Sequence, residues 1–307
     1  MNIPLLSVVI PNFNHAAYLP QNIDAILAQG VENMEIIIGD DASSDNSRAV
    51  IEKYAKQENR IRPFFFPKNR GVMAVCIDLY AEAKGKYIHF LSADDFYLPG
   101  FLRQTLQLLE DNPSIPFAFS DIRYFQSDHP EIYRDTHLHP SSKPTIFSAA
   151  ELPAVCKETG FWIAGVSCVM KREIYQKYGP MDPKLENICD WFFFHKVALF
   201  EGVGYVPGAL VAMRETPSSY TNKVKRDSKR RKATYWRVLE ILTKPENREL
   251  KRRFQQSGLL IFVFENLFWR VVWRPQWWSF FHYTQVKARL SKSLRKRLCL
   301  YQEQKIK

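Results

Sequence analysis

Cysteine and glycine are sparse in this sequence and no apolar stretch runs long, and each shortage excludes a class of protein. The five cysteines in 307 residues, Cys76, Cys156, Cys168, Cys189 and Cys299, are odd in number, widely spaced and never set as Cys-x-x-Cys. A small disulfide scaffold is therefore excluded, and reduced thiols in a cytosolic protein are expected. No glycine-rich triphosphate loop occurs among the 12 glycines, which argues against a nucleotidyltransferase. No segment reaches the roughly 18 uninterrupted apolar residues of a membrane span. Leu5–Pro11 is too short, and too soon closed by proline, to act as the core of an export signal, so none is expected. His15, His89 and His195 lack metal-ligand spacing and read as structural. Internal repeats and low-complexity linkers are also missing.

What is present is an apolar fraction of 46% over a length sufficient for one large domain plus an appendage. The net charge of +11 is unevenly spread. Residues 1–222 hold 20 Lys and Arg against 26 Asp and Glu, a net −6, whereas residues 223–307 hold 23 against 6, a net +17. The basicity belongs to the tail.

Short runs rich in β-branched residues alternate with segments of helical period. Strands are expected at Leu6–Pro11, Met34–Gly39, Ile61–Phe66 and Tyr87–Leu91, with helices at Ile23–Gln29, Asn46–Gln57 and Val72–Ala83. Continuous apolar strands joined by helices predict an α/β fold, a Rossmann-like and mostly parallel sheet with helices on both faces. Ligands in such folds gather at strand C-terminal ends. That rule points to Pro11–Asn14, Asp40–Asp41 and Ser92–Asp95. Beyond Phe117, prolines at 130, 140, 144 and 153 break up long elements, leaving strand-like stretches at Phe117–Tyr124 and Gly165–Met170 and an acceptor side. Arg214–Asn222 is turn-rich and reads as a mobile loop.

Asp94 and Asp95 follow an apolar strand and precede Phe96–Pro99, which reads as a helix start. Paired carboxylates at a sheet edge are hard oxygen ligands suited to Mg²⁺ or Mn²⁺, whose coordination substrate phosphates complete. Helix capping is the plainer reading of the pair. Asp45 reads as a cap for the helix from Asn46, which leaves Asp40 as the better binding candidate.

Several of these segments, in this order, resemble glycosyltransferase family 2, whose nucleotide-binding half has the fold called GT-A. Ser7–Asn14 looks like that family's opening strand and base-binding turn, Glu35–Asp45 like its acidic second-strand motif, and Asn69-Arg70-Gly71 like a third position. Gly85–Asp95 is similar to the strand ending in the family's metal-binding Asp-x-Asp, with Ser92 in place of the first aspartate. Lys171–Asp182 resembles the approach to the catalytic motif, and Asp190 falls at the position of the base, preceded by Cys189 where the family often has Glu. Tyr205–Pro207 and Arg214–Ser219 resemble the loop whose arginine can approach the diphosphate. The likeness covers residues 5–219.

The resemblance implies an inverting transferase that moves a sugar from a nucleoside diphosphate-sugar, UDP- or dTDP-linked, to a hydroxyl acceptor. Asp190 would take the acceptor proton, while a metal on Asp95, helped by Arg214, would stabilise the departing diphosphate. Pro11, Phe13, Asn14, Asp40, Asn69 and Asp94 would hold the nucleotide-sugar, Phe13 stacking on a pyrimidine and Asp40 accepting from its ring N–H. Trp162 and Trp191 read either as core or as an apolar platform for an acceptor sugar. Residues 1–222 form the GT-A domain in this reading, with a nucleotide-sugar half to about 116 and an acceptor half over 117–222. The alternative is a catalytically silent nucleotide-sugar-binding or scaffolding protein, with Ser92 and Cys189 as marks of decay.

Residues 223–307 read as a basic, aromatic-rich helical region. Leu259–Trp273 is apolar apart from Glu265, Asn266 and Arg270, and it is followed by Trp277, Trp278, Phe280 and Phe281. Basic clusters at Lys223–Lys232 and Lys287–Arg297 flank it, which predicts peripheral attachment to an anionic membrane on its cytoplasmic face, near a lipid-linked or surface-glycan acceptor. A helical hairpin packed on the catalytic domain or on a second subunit is the competing reading. Nucleic acid is not an expected partner, because no recognised motif accompanies the charge.

Overall fold

A computed structural model of the chain describes residues 3–136, 140–159, 163–216 and 219–260, together with Val263 and Leu267. It begins with a regular alternation: β1 (Leu6–Asn12), α1 (Leu19–Leu27), β2 (Met34–Asp40), α2 (Ser47–Gln57), β3 (Ile61–Phe65), α3 (Val72–Glu82) and β4 (Tyr87–Phe90). Strand β1 runs parallel to both β2 and β4, and β2 parallel to β3. Because side chains alternate across a strand, each strand serves two cores. Val8, Ile10, Ile36 and Ile38 join Ile23 and Ile26 of α1, whereas Val9 and Ile37 join Val75 and Leu79 of α3. All seven residues of β2 are buried, as a strand covered on both faces requires. Each fully buried isoleucine contributes about 1.5–3 kcal/mol.

The remaining elements are β5 (Phe96–Tyr97), α4 (Phe101–Asp111), β6 (Phe117–Gln126), β7 (Tyr133–Asp135), β8 (Thr145–Phe147), α5 (Leu152–Thr159), β9 (Cys168–Lys171), α6 (Arg172–Tyr178), α7 (Cys189–Glu201), β10 (Val203–Glu215), α8 (Tyr220–Arg226), α9 (Ser228–Thr243) and α10 (Arg248–Ser257). Among the described residues the strands join one sheet in the order β3-β2-β1-β4-β9-β6-β10-β5, with β7 on β6 and β8 on β10. The half built from β3, β2, β1 and β4 is parallel. Strand β9, antiparallel to both β4 and β6, joins it to a mixed half.

One sequence expectation changes here. Phe96 and Tyr97 do not start a helix: they pair antiparallel with Ala212 and Val211, and α4 begins only at Phe101, after Gly100 turns the chain at φ 90°. Of Arg214–Asn222, Arg214 and Glu215 belong to β10 and Ser219 caps α8 by accepting the Asn222 amide, while Pro217 and Ser218 lie outside the described residues. The described helices after residue 222 pack on the core that precedes it. Tyr235, Val238, Leu239, Leu242, Leu250 and Phe254 of α9 and α10 belong to the same buried cluster as Trp191 and Phe194 of α7. The apolar and basic segments beyond Leu267 lie outside the described residues. No helix among the described residues is long and apolar enough to cross a membrane.

Phe254 is fully buried, with its ring stacked on Phe192 at 5.4 Å. Phe254→Ala is expected to cost about 3–5 kcal/mol. Urea unfolding followed by fluorescence should show that loss in one transition shared with the sheet; a separate early transition, with the main one unmoved, would mean that α9 and α10 fold apart from it.

Candidate active site

The parallel strands deliver their C-terminal ends to one edge of the sheet. Asn12, closing β1, lies opposite Asp40, closing β2, and donates from Nδ2 to Asp40 Oδ1 at 2.7 Å. The Ser43 amide and hydroxyl also donate to the Asp40 carboxylate. The side chain of Asn14 accepts the Ser44 amide at 2.8 Å, and Asp45 accepts the amides of Ala16 and Ser47 at 2.9 Å each. Asn14 and Ala42 adopt left-handed backbones at φ 56° and 59°. Asparagine tolerates that conformation, whereas alanine does so at a cost of roughly 1–2 kcal/mol, which the surrounding bonds must outweigh. Asp41 accepts the amides of Arg70 and Gly71 at 2.8 Å each, fixing the turn that carries Asn69.

Phe13 projects from this edge with 43% of its surface exposed, Asn69 is exposed, and Pro11 is half-buried. Asp40 differs from its expected role. It is buried and its carboxylate is engaged by Asn12 and Ser43, so it shapes the turn rather than presenting a free acceptor.

The turn after β4 carries Asp94, half-buried, and Asp95, only 4% exposed. Its backbone is satisfied from both sides, as buried polar groups demand. Asn22 donates to the carbonyls of Ser92 and Asp95 at 2.9 and 2.7 Å. The Arg214 amide donates to Asp95 Oδ1 at 2.8 Å, and Arg214 Nε to the Asp94 carbonyl at 3.0 Å. Burial, reinforced by the neighbouring Asp94 charge, holds the Asp95 carboxyl well above the usual carboxylate range, against the Arg214 amide and guanidinium.

Arg214 is also held by its side chain. Its guanidinium lies 4.3 Å from the ring centre of Tyr18 and 4.6 Å from that of Phe125, and Nη2 donates to Gln21 Oε1 at 2.7 Å. At 9% exposure and held by these partners, it braces the carboxylate turn. The same side chain lines a cleft of about 380 Å³ with Gln21, Phe96, Arg123, Phe125 and Tyr133.

Asp190 sits in the first turn of α7, where free backbone amides favour a carboxylate. Its Oδ2 accepts the Gly165 amide at 2.8 Å. A side chain at residue 165 is excluded, since a Cβ there would stand 2.9 Å from Asp190 Cβ and 3.0 Å from Oδ2. Burial pushes the Asp190 carboxyl up, while the amides of Gly165 and Trp191 and its own amide pull it down. The net shift is upward. Tyr124, half-buried on β6, has its hydroxyl raised above the ordinary value chiefly by burial, against the lowering charge of Arg134.

Trp191 is not a platform. At 1% exposure it packs among His195 and Phe254, because its place on α7 turns it into the core while Asp190 turns away. Trp162 lies outside the described residues. His89 and His195 are also buried, and no cluster of three or more His, Cys, Asp or Glu side chains suited to a metal occurs among the described residues. Sequence reading pointed to Asp41 beside Asp40; it passed over Tyr124, which stands near the C-terminal end of β6.

Residues 7–179 match the profile of Glycosyl transferase family 2. The chain belongs to this family. A relative named as an uncharacterized glycosyltransferase in Haemophilus influenzae is 35% identical over 126 residues, covering 40% of this chain and 50% of the relative. The chain spans about half the length of that relative and of others like it. S. aureus TarS 1-349 in complex with UDP-GlcNAc matches with a TM-score of 0.63 and 14% identity, over 90% of this chain and 79% of that one. Mannosyltransferase PcManGT from Pyrobaculum calidifontis, in complex with GDP-Man and Mn²⁺, matches at 0.59 and 14%, over 97% and 81%. The α/β fold of this family 2 chain is that of GT-A glycosyltransferases.

Bracing by Arg214 predicts a stability effect. Arg214→Ala keeps the backbone amide but loses two hydrogen bonds and two ring contacts, and is expected to cost about 3 kcal/mol in urea unfolding. A change within about 0.5 kcal/mol, as for a free surface side chain, would contradict the brace.

Proposed function

We propose that this family 2 chain is an inverting glycosyltransferase that moves a sugar from a nucleoside diphosphate-sugar to a hydroxyl acceptor, with Asp190 as the general base. The observation that carries this reading is the Asp190 carboxylate, held at the start of α7 by the Gly165 amide at 2.8 Å, on an element separate from the Asp94–Asp95 turn after β4. Inversion by single displacement needs that division, with a proton acceptor on the nucleophile's side and charge stabilisation on the leaving group's side. Asp190, held by Gly165 and raised by burial, is matched to taking a hydroxyl proton.

On the donor side, exposed Phe13 offers a face for the base, and Asn14 and Asn69 line the same sheet edge. The UDP-GlcNAc and GDP-Man bound by the two structural neighbours support a nucleoside diphosphate-sugar as donor. The carboxylates of Asp94 and Asp95 suit Mg²⁺ or Mn²⁺: Asp95 Oδ1 is taken by the Arg214 amide, no protein donor reaches Oδ2 among the described residues, and cationic charge would offset the repulsion between buried Asp95 and half-buried Asp94. When bound there, the ion supplies positive charge to the diphosphate.

The acceptor belongs at a membrane surface in this reading. Lys223, Lys225, Arg226, Lys229 and Lys232 are exposed on α8 and α9, and residues 223–307 carry a net +17. An anionic bilayer, bearing a lipid-linked glycan precursor, fits that surface. Co-sedimentation with phosphatidylserine vesicles should be lost in about 0.5 M salt if the attraction is electrostatic; absence of binding at low salt would remove this part of the proposal.

Asp190→Asn tests the chemistry. Nucleoside diphosphate release from UDP-sugars should collapse, while the rise in melting temperature on adding UDP and Mn²⁺ persists. Because burial raises the folded pKa of Asp190, its contribution to stability is present at low pH and lost as pH rises through the folded value. The asparagine variant should therefore melt higher than the parent at pH 7, with the gain fading below the unfolded carboxylate value of about 3.9. Full turnover by the variant would exclude Asp190 as base, and no release by the parent from any donor would favour a silent sugar-nucleotide binder.

A further inference from the structure

The stretch leading into α7 holds a backbone that needs explaining. Glu186 stands at φ 50°, ψ −129°, inside the 3-10 turn Pro183–Ile188 and four residues before Asp190. A non-glycine residue keeps such a conformation only where its surroundings over-determine it, and such residues gather at functional sites. Here the surroundings come from beyond β10. Arg230 of α9 grips the Glu186 carboxylate with both Nε and Nη2, at 2.9 and 2.7 Å, and the Tyr220 hydroxyl of α8 donates to the same carboxylate. Arg237, also of α9, binds Asp182 at the start of the turn through Nε and Nη2 at 3.2 Å each. Both ends of the segment are thus tied to the basic helices.

A lone exposed ion pair would carry little weight, but this one is bidentate, shared with a hydroxyl, and attached to a strained backbone. We propose that Glu186, held by Tyr220 and Arg230, is a positioning residue for Asp190, so that the helices following β10 set the geometry of the base. This rests on the base reading above. It also gives the stretch from Arg214 to Arg230 one role at both acidic centres: Arg214 braces the Asp94–Asp95 turn, and Tyr220 and Arg230 brace the approach to Asp190. Ser219 caps α8 by accepting the Asn222 amide, and Asn222 Nδ2 donates to the Thr216 carbonyl at 2.8 Å.

Cys189 provides a readout independent of turnover. It adjoins Asp190, is buried with Sγ 3.6 Å from Met73 Sδ, and burial pushes its thiol up, so it should alkylate slowly. Tyr220→Phe, Arg230→Gln and Arg230→Lys in the full chain are compared with the parent by peptide-resolved iodoacetamide labelling and by UDP release from a panel of UDP-hexoses with Mn²⁺. Arg230→Gln should speed Cys189 labelling about tenfold by local opening, leaving Cys156 and Cys168 unchanged. It should lower kcat about tenfold, with KM for the donor within about twofold, since misplacing a base removes an interaction of the transition state alone. Arg230→Lys, which keeps the charge but not the fork, should recover part of both losses, and Tyr220→Phe should fall between it and Arg230→Gln. Cys189 labelling at the parent rate in Arg230→Gln and Tyr220→Phe would overturn the clamp; faster labelling with unchanged kcat would overturn its positioning role. Wild-type turnover by Asp190→Asn would instead refute the base reading while the labelling result stood.

Discussion

The hydrogen bond from the Arg214 amide to Asp95 is the constraint on which the site's geometry depends. It ties the last part of β10 to the residue just before β5, beyond the pairing of Ala212 with Phe96. Without it a buried carboxylate would face its acidic neighbour with little to oppose desolvation, a loss several times larger than the net value of an ordinary hydrogen bond. The bond comes from the backbone, so its position follows from the register of β10 on β6, where Arg214 pairs with Phe125. The side chain then uses the same register. Phe125 supplies one face for the guanidinium, and Gln21 and Tyr18, at and just before the start of α1, supply the rest.

The two acidic centres solve the problem of buried charge differently. Asp190 is offered three backbone amides at a helix start, which lower its pKa without fully cancelling burial. Asp95 has one amide and a like-charged neighbour, and its ionised form is the more strongly disfavoured. A site built this way is incomplete without positive charge at the second centre but not at the first. In the proposed reading, that asymmetry would suit a proton acceptor at Asp190 and a leaving-group site at Asp95.

The first four strands were legible because strands buried on both faces are written as unbroken β-branched runs, and Met34–Asp40 is such a run. Phe96–Tyr97 was not, because a two-residue strand carries no period and its partners lie more than a hundred residues away. Asp190 was reached through resemblance, whereas the direction of Trp191 was hidden: Trp191–Phe194 is apolar on every side, so no stripe marks a core face. Arg214 was found but its bracing of the turn was not, since Gln21, Tyr18 and Phe125 are scattered along the chain and nothing local announces that they converge. The step in charge at residue 222 does not report packing. Charge reports the solvated side of α8 and α9, and the buried side, with Tyr235, Val238 and Leu239, continues the core without a break.

That continuity bears on how a basic surface can matter to a remote proton acceptor. If α9 were a detached appendage, its lysines could concentrate the protein at a bilayer but could not affect the chemistry. Instead one face of α9 buries Tyr235, Val238, Leu239 and Leu242 in the core shared with α7, and Arg230 on its first turns binds the carboxylate of a strained residue just upstream of Asp190. A packed interior transmits a small rotation of such a helix instead of absorbing it, because close-packed side chains leave few voids to collapse into. Arg230 is thus the side chain that joins the cationic face of α9 to Glu186 and the segment before Asp190.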